Sequence, residues 1–398
     1  MNYFSIFRAH GAVVMFGFLF SFLSSFGQTY FVALSTPDIR NAFDLSHGEF
    51  GAVFSAATLT AGLFLIVIGS TLDRVSPRAY AAASLAGLAI AALTLSLAQN
   101  IALLGLALFG LRLFGQGTLS HASITSTARL PLGVRGRAMG FANLGFQTGA
   151  AAFPAAGVAL MTTFGWLGMW RIAAIIAAVF AVLVFPYARG VVEAPLKHAA
   201  TQSQAKHRRR DIIRDWRFLV LLPTMLGPPA ITTGYFFHQR FLADDKSWSL
   251  DLLALSITAS ALASVISSIV VGALIDRFGA IRISRFQLLP LAACSLALGP
   301  MSGPASAIWF FALLGITSGA NGVVITAALA EIYGAGQIGM IRAVAQSLQV
   351  IASAISPVVM GYAFDLHVAL ATIGGVAAVY LVAAAAATLL LKPKPLLP

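Results

Sequence analysis

Two short stretches decide how this chain is read: G-S-T-L-D-R-V-S-P-R at residues 69–78 and G-A-L-I-D-R-F-G-A-I-R at residues 272–282. Each is a polar loop between two apolar runs, 50–71 and 79–98 around the first, 249–274 and 283–301 around the second. A run of about 20 apolar residues is the length at which a helix crosses the hydrocarbon core of a bilayer. Working outward, the pattern continues at 12–34, 101–125, 138–162, 166–188, 217–241, 304–328, 340–363 and 368–391, which makes twelve spans. The ninth and tenth are parted only by Gly299, Pro300, Gly303 and Pro304, which read as a tight turn.

Composition supports the same solvent. Hydrophobic residues make up 59% of the 398 residues, charged residues 10%, and the mean hydropathy is +0.88. A soluble domain carries about 25% charged residues, too many for this chain to imitate. In lipid, backbone polar groups must be satisfied internally, by helices or by a closed barrel. Barrel strands alternate apolar and polar over roughly ten residues, and these longer runs are apolar on all sides. The expected fold is an all-α membrane protein of 12 transmembrane helices. The first run is longer than a signal-peptide core and has no small-residue cleavage site, so it is expected to remain as a helix.

The polar stretch 189–216 divides the chain into two bundles of six helices, 1–188 and 217–398. It holds Arg189, Lys197, Lys206, Arg208, Arg209, Arg210 and Arg214 and reads as a basic linker, with anionic lipid as a more specific partner. Lys and Arg accumulate on the cytoplasmic side of membranes. Here they fall in alternate loops with both termini, so both termini and the linker are expected in the cytoplasm. The formal charge of +12 is therefore topological, and no nucleic-acid partner is expected. The single cysteine, Cys294, cannot form an intrachain disulfide and reads as a small buried hydrophobe.

The two loops also mark a repeat. Gly69, Asp73 and Arg74 align with Gly272, Asp276 and Arg277; Gly110 and Gly117 with Gly315 and Gly322; Pro154 with Pro357; and Tyr30-Phe31 with Tyr235-Phe236. Matches in chain order at nearly one offset indicate two parallel repeats of six helices. With its G-x-x-x-D-R loops and Arg112 in L-R-L-F-G-Q-G, the chain resembles the major facilitator superfamily over nearly its whole length. Ser76 departs from the family's usual glycine, which the second loop keeps as Gly279. The resemblance implies a transporter in which two halves rock about a central site. It also implies that Asp73 and Asp276 face the start of the eleventh or fifth helix. Arg74, Arg277, Arg129 and Glu331 join them as expected gating residues.

Arg112 is the clearest ionisable residue near the middle of a span, and such a residue is a functional candidate by default; the competing reading is a structural arginine capping the backbone carbonyls of a broken helix. Gln116, Ser120, Ser123 and Thr127 share its side of the helix at 100° per residue. The repeat-related stripe is Thr317 and Asn321. The first span offers Ser21, Ser24, Ser25 and Gln28, with Tyr30 nearby. The seventh offers Thr224, Thr232, Tyr235, His238 and Gln239 around Gly227-Pro228-Pro229, and that proline pair is expected to break the helix. The substrate-binding candidates are therefore Arg112, Gln116, Gln28, Tyr30, Tyr235, His238, Asn321 and Thr317. For any single Ser or Thr the competing reading is packing between helices.

No Asp or Glu lies near the middle of a span, and guanidinium pairs well with carboxylate. The expectation is a monomeric secondary active transporter of the cell membrane, moving a small solute, an organic anion first, by proton coupling or exchange. Export of amphiphilic or drug-like compounds is the nearest alternative; a non-transporting receptor or sensor is another. There is no phosphate-binding G-x-x-x-x-G-K-[ST] run and no clustered intramembrane His, Asp or Glu, so no enzyme, cofactor or metal is expected. The expected partners are the substrate, protons and membrane lipid.

Overall fold

The computed structural model describes residues 3–69, 75–187, 214–334 and 338–392. Among the described residues there are helices, turns and no strands. Among the described residues, helix is found in each of the twelve apolar runs. Nine helical stretches among the described residues are long and apolar enough to cross a membrane. One of these, Val134–Val184, is long enough for two crossings and breaks at Gly165, where φ is 68°. The fifth and sixth runs meet at that residue. In the ninth run the helix is short, Leu289–Ala297, with turns on both sides and the end of helix Ala280–Ser284 at its start. The tenth opens with Pro304 after Gly303 at φ 78°, a turn only glycine enters without strain.

The chain forms two compact units, Met1–Leu45 with Ala52–Lys197, and Ser46–Gly51 with His198–Pro398. Most of the basic linker, residues 188–213, lies outside the described residues. In each unit large apolar side chains stand outward, among them Val182 at 72% and Trp309 at 70% exposure. Facing water they would be an aggregation surface; facing acyl chains they are in their own solvent.

Helix contacts depend on small residues, because lipid removes the hydrophobic drive between helices and leaves close packing and polar contacts. In the second unit Gly315 and Gly319, one turn apart on helix Pro304–Tyr333, lie against the carbonyls of Ser260 and Ser264 on helix Leu250–Phe278. A Cβ at either glycine would overlap that backbone. Ser267 Oγ donates to the Ile316 carbonyl at 2.7 Å along the same seam.

Helix starts follow the capping rules. Ser46 and Glu49 form a reciprocal capping box, with Ser46 N–H to Glu49 Oε2 at 2.8 Å and Glu49 N–H to Ser46 Oγ at 3.1 Å. Asn100 and Ser249 cap the helices Ile101–Gly110 and Leu250–Phe278. Ser76 caps helix Pro77–Leu97 through the Ala79 N–H at 3.2 Å, with φ −63°. Gly279 sits at φ 84°. The first loop can therefore dispense with glycine where the second requires it.

Two helix breaks differ from expectation. Helix Trp216–Phe237 runs continuously through Pro223, Pro228 and Pro229, and its break falls later, at His238. Pro229 lacks the N–H that would serve the Met225 carbonyl one turn back, and Gln349 Nε2 donates to that carbonyl instead at 3.2 Å. The break occurs in the first span instead. There helix Tyr3–Leu23 tightens into a 3₁₀ turn at Ser24–Gly27 and Gln28 is extended, at ψ 149°.

Candidate substrate site

Arg112 lies in a nine-residue π-helical stretch, Leu111–Leu119, between helices Ile101–Gly110 and Ser120–Ala128. Such wide turns accompany functional positions more often than chance, because they re-aim a side chain. Arg112 is 4% exposed. Its Nη1 donates to the Gly27 carbonyl at 2.9 Å and to Thr29 Oγ1 at 3.3 Å, and its Nε donates to Thr58 Oγ1 at 3.0 Å. The guanidinium stands 5.0 Å from the centre of the Phe54 ring. These hydrogen-bond partners are all neutral, and among the described residues no carboxylate pairs with Arg112.

The helix break and the π-helical stretch are built against each other. A Cβ on Gly115 would come 2.6 Å from Gly27 Cα, and one on Gly27 would come 2.6 Å from the Gln116 N. Two bare glycines let the backbones touch, and the carbonyl freed by the break is the one Arg112 takes. Gln28 and Gln116 flank this contact. Gln28 is buried and Gln116 partly buried beside Arg112. Thr29, Thr58 and Phe54 belong to the same cluster and carried no signal in the sequence, because only the folded chain brings them to Arg112.

The rest of the first-unit stripes form a seam between helices. Ser21 and Ser123 share a hydrogen bond at 2.8 Å, Ser123 donates to the Gly17 carbonyl at 2.6 Å, and Thr127 folds back on the Ser123 carbonyl. Tyr30 donates to Ser25 Oγ at 2.9 Å. A separate apolar cavity of about 550 Å³ lies between helices His47–Gly69 and Ile101–Gly110, lined by Val53, Ala56, Ala57, Thr60, Phe64, Gly105, Leu106 and Phe109. It has no charged wall.

In the second unit Thr317 and Asn321 stand one turn apart on helix Pro304–Tyr333. Thr317 Oγ1 and Asn321 Oδ1 are buried and have no hydrogen-bond partner among the described residues. Buried polar atoms in native proteins are nearly always paired, so an unpaired pair marks a place for a ligand or water. Tyr235 is placed differently, in the packed core with its hydroxyl on Ser295 Oγ at 3.0 Å. Thr224 donates to the Ala384 carbonyl, and His238 Nε2 lies 3.0 Å from the Pro357 carbonyl.

Of the expected gating residues, Asp73 and Arg74 lie outside the described residues. Asp276 and Arg277 are exposed at the end of helix Leu250–Phe278. Glu331 Oε2 accepts the N–H groups of Ala280 at 2.8 Å and Ile281 at 3.3 Å. Arg129 follows helix Ser120–Ala128 directly. Among the described residues no three His, Cys, Asp or Glu side chains are grouped to hold a metal ion.

Residues 15–357 match the family model of the Major Facilitator Superfamily. The chain belongs to that superfamily. No curated protein matches it. Among solved structures of this superfamily's fold it is similar to a bacterial homologue of the human lysosomal transporter Spinster, in its inward-facing and unoccupied conformation. The TM-score is 0.74 and the identity 16%, over 96% of each chain. The same homologue in its inward-facing and occupied conformation gives a TM-score of 0.73 and 15% identity, over 97% of each chain. At that identity the likeness concerns the superfamily fold. The G-x-x-x-D-R loops and the arginine in L-R-L-F-G-Q-G thus lie on a chain of that family, a multi-pass membrane protein of transporter type.

Proposed function

We propose that this member of the superfamily is a secondary active transporter of a small organic anion, with Arg112 as the group that reads the anion. The observation that carries this is the chemistry around Arg112: a nearly buried guanidinium whose hydrogen bonds go to one carbonyl and two hydroxyls. Burying a cation without an anion is costly, and a substrate carboxylate would supply the missing charge. Its Nε and Nη1 hold the side chain, and Nη2 makes none of those three bonds. Gln28 and Gln116 would add amide contacts beside it. Thr317 and Asn321 would serve the polar remainder of the substrate, with Tyr30, Tyr235 and His238 as supports.

The further reading is a monomer in the cell membrane with both termini cytoplasmic, two six-helix bundles over 1–188 and 217–398, alternating access, and coupling to protons or exchange. Asp73, Arg74, Asp276, Arg277, Arg129 and Glu331 would govern closure. Counterflow in proteoliposomes, with small organic acids tested beside sugars and amphiphiles, tests the substrate class. The reading expects the acids to exchange; exchange of amphiphiles alone would replace it with efflux.

A further inference from the structure

The ninth apolar run begins, and the twelfth ends, at one junction inside the second unit. Span ends lie at headgroup level, where cationic side chains meet lipid phosphate. Here helix Ala280–Ser284 gives way to Leu289–Ala297, and the chain leaves its last helical turn, Thr388–Leu390, through Leu391 and Lys392. Arg285 joins the two places: its Nη2 donates to the Leu391 carbonyl at 3.3 Å.

Arg282 and Arg285 belong to one helical turn, closed by the Arg285 N–H on the Arg282 carbonyl at 3.4 Å, and residues three apart share a face. Lys392 follows the residue that Arg285 holds. Arg282 and Lys392 are exposed and Arg285 is half-buried. Among the described residues none of the three pairs with a carboxylate. Glu331 accepts the N–H groups of Ala280 and Ile281, at the start of the short helix. The bond to Leu391 is the one hydrogen bond that ties the Arg285 guanidinium to a described residue, and its buried Nε has no partner. A half-buried cation held by one long bond to a neutral oxygen is short of negative charge.

Apolar side chains border the same junction. Phe286 is 62% and Leu390 66% exposed. A molecule with an anionic head and apolar chains matches both features, whereas a soluble anion matches only the cations.

We propose that the junction of Arg282, Arg285 and Lys392 is a binding site for the phosphate of an anionic phospholipid. Arg285 supplies directed hydrogen bonds, Arg282 and Lys392 supply surrounding charge, and Phe286 and Leu390 supply a surface for the acyl chains. The bound lipid bridges the start of the ninth run to the end of the twelfth. This site lies on folded helices, apart from the basic stretch 189–216. The proposal rests on the chain spanning a membrane and not on the substrate's identity.

The test is native mass spectrometry of the full chain in detergent, titrated with phosphatidylglycerol and, separately, with phosphatidylcholine carrying the same acyl chains. Wild type should retain one phosphatidylglycerol in preference to phosphatidylcholine. Arg285→Gln should weaken that retention about tenfold, the loss expected for a hydrogen bond to a charged group. Arg282→Gln combined with Lys392→Gln should also weaken it while leaving the Leu391 bond in place. Arg342→Gln removes an exposed arginine elsewhere in the same unit and should leave retention unchanged. Excess glycerophosphoglycerol, the headgroup without its chains, should not displace the lipid. Equal retention of the two lipids, wild-type retention in Arg285→Gln, or an equal loss in Arg342→Gln would each overturn the proposal. So would displacement by the soluble headgroup, which would make the ligand a free phosphate ester. Should Arg285→Gln misfold, the Arg282→Gln and Lys392→Gln pair decides alone.

Discussion

Arg112 Nη1 donates to the carbonyl of Gly27 at 2.9 Å, across 85 positions of sequence. That bond joins the break in the first span to the π-helical stretch of the fourth. The only buried guanidinium expected to read a substrate thus also satisfies a carbonyl that the helix break leaves open. Nε and Nη1 make the bonds that hold the side chain, and Nη2 takes no part in them.

The glycine contact beneath that bond is the first place to test. A Cβ on Gly115 would come 2.6 Å from Gly27 Cα, so Gly115→Val has to push the first span away. Overpacking of this kind costs roughly 1–3 kcal/mol. Thermal unfolding in detergent should show a lower melting temperature, and substrate affinity should fall with it once a substrate is in hand. A variant that melts and binds like the wild type would show that the two backbones need not touch.

The seventh helix offers a cleaner cycle. Gln349 Nε2 serves the Met225 carbonyl left open by Pro229. Gln349→Leu should therefore destabilise by about 1–3 kcal/mol, the cost of a buried unsatisfied carbonyl. Pro229→Ala restores the backbone N–H, so Gln349→Leu should cost much less in that background. Equal costs in both backgrounds, measured by denaturation, would remove the link between proline and glutamine.

Much of the fold was legible because hydrocarbon thickness fixes run length and because the repeat places Gly69-Asp73-Arg74 beside Gly272-Asp276-Arg277. Ser46-x-x-Glu49 also stands plainly in the letters as a capping box, yet it is overshadowed by the apolar run it opens. The helix breaks were not legible. Pro228-Pro229 looks like a break in isolation, yet the helix continues, and Gln349, 120 positions later, serves one of the carbonyls that the prolines leave open. The break at Ser24–Gln28 has no proline and depends on Arg112 and Gly115. For the same reason Thr29 and Thr58 could not be found: nothing local marks a hydroxyl that an arginine on another helix will use.

Asp215 gives a pH prediction outside the membrane. Burial by itself would raise its pKa, but the Arg217 side chain, its backbone N–H and its charge outweigh that, and the carboxyl is held below the usual carboxylate range. The bonds are 2.8 Å to the Arg217 N–H and 2.9 Å to Nη2. A depressed folded pKa gives stability that is full above the unfolded value of about 4 and is lost as pH falls through the folded value. The Arg217 side chain is 44% exposed, so the pair is screened, and the cap with its pair contributes about 1 kcal/mol. Asp215→Ala should lower the melting temperature at pH 7, and the gap to wild type should shrink under acid. A gap that does not change with pH would assign the effect to packing.

Orientation is tested by labelling in intact cells. In Cys294→Ser protein, an impermeant maleimide should reach Asp244→Cys and should not reach Gln204→Cys, because Lys and Arg mark the 189–216 side as cytoplasmic. The reverse pattern would invert the topology.

The central claim is that Arg112 reads an anion, and the comparison of an acid with its neutral amide tests it most directly. Binding of both to purified wild type, Arg112→Lys and Arg112→Ala is measured after each variant is shown to be monodisperse with normal melting. Truncating one partner of a buried charged hydrogen bond costs roughly 2–5 kcal/mol, about 30-fold or more in affinity. The wild type should prefer the acid, Arg112→Lys should bind it weakly because the planar fork is lost, and Arg112→Ala should show no preference for acid over amide. An equal preference for the acid in wild type and Arg112→Ala would contradict the claim and leave Arg112 as the clasp on Gly27 alone.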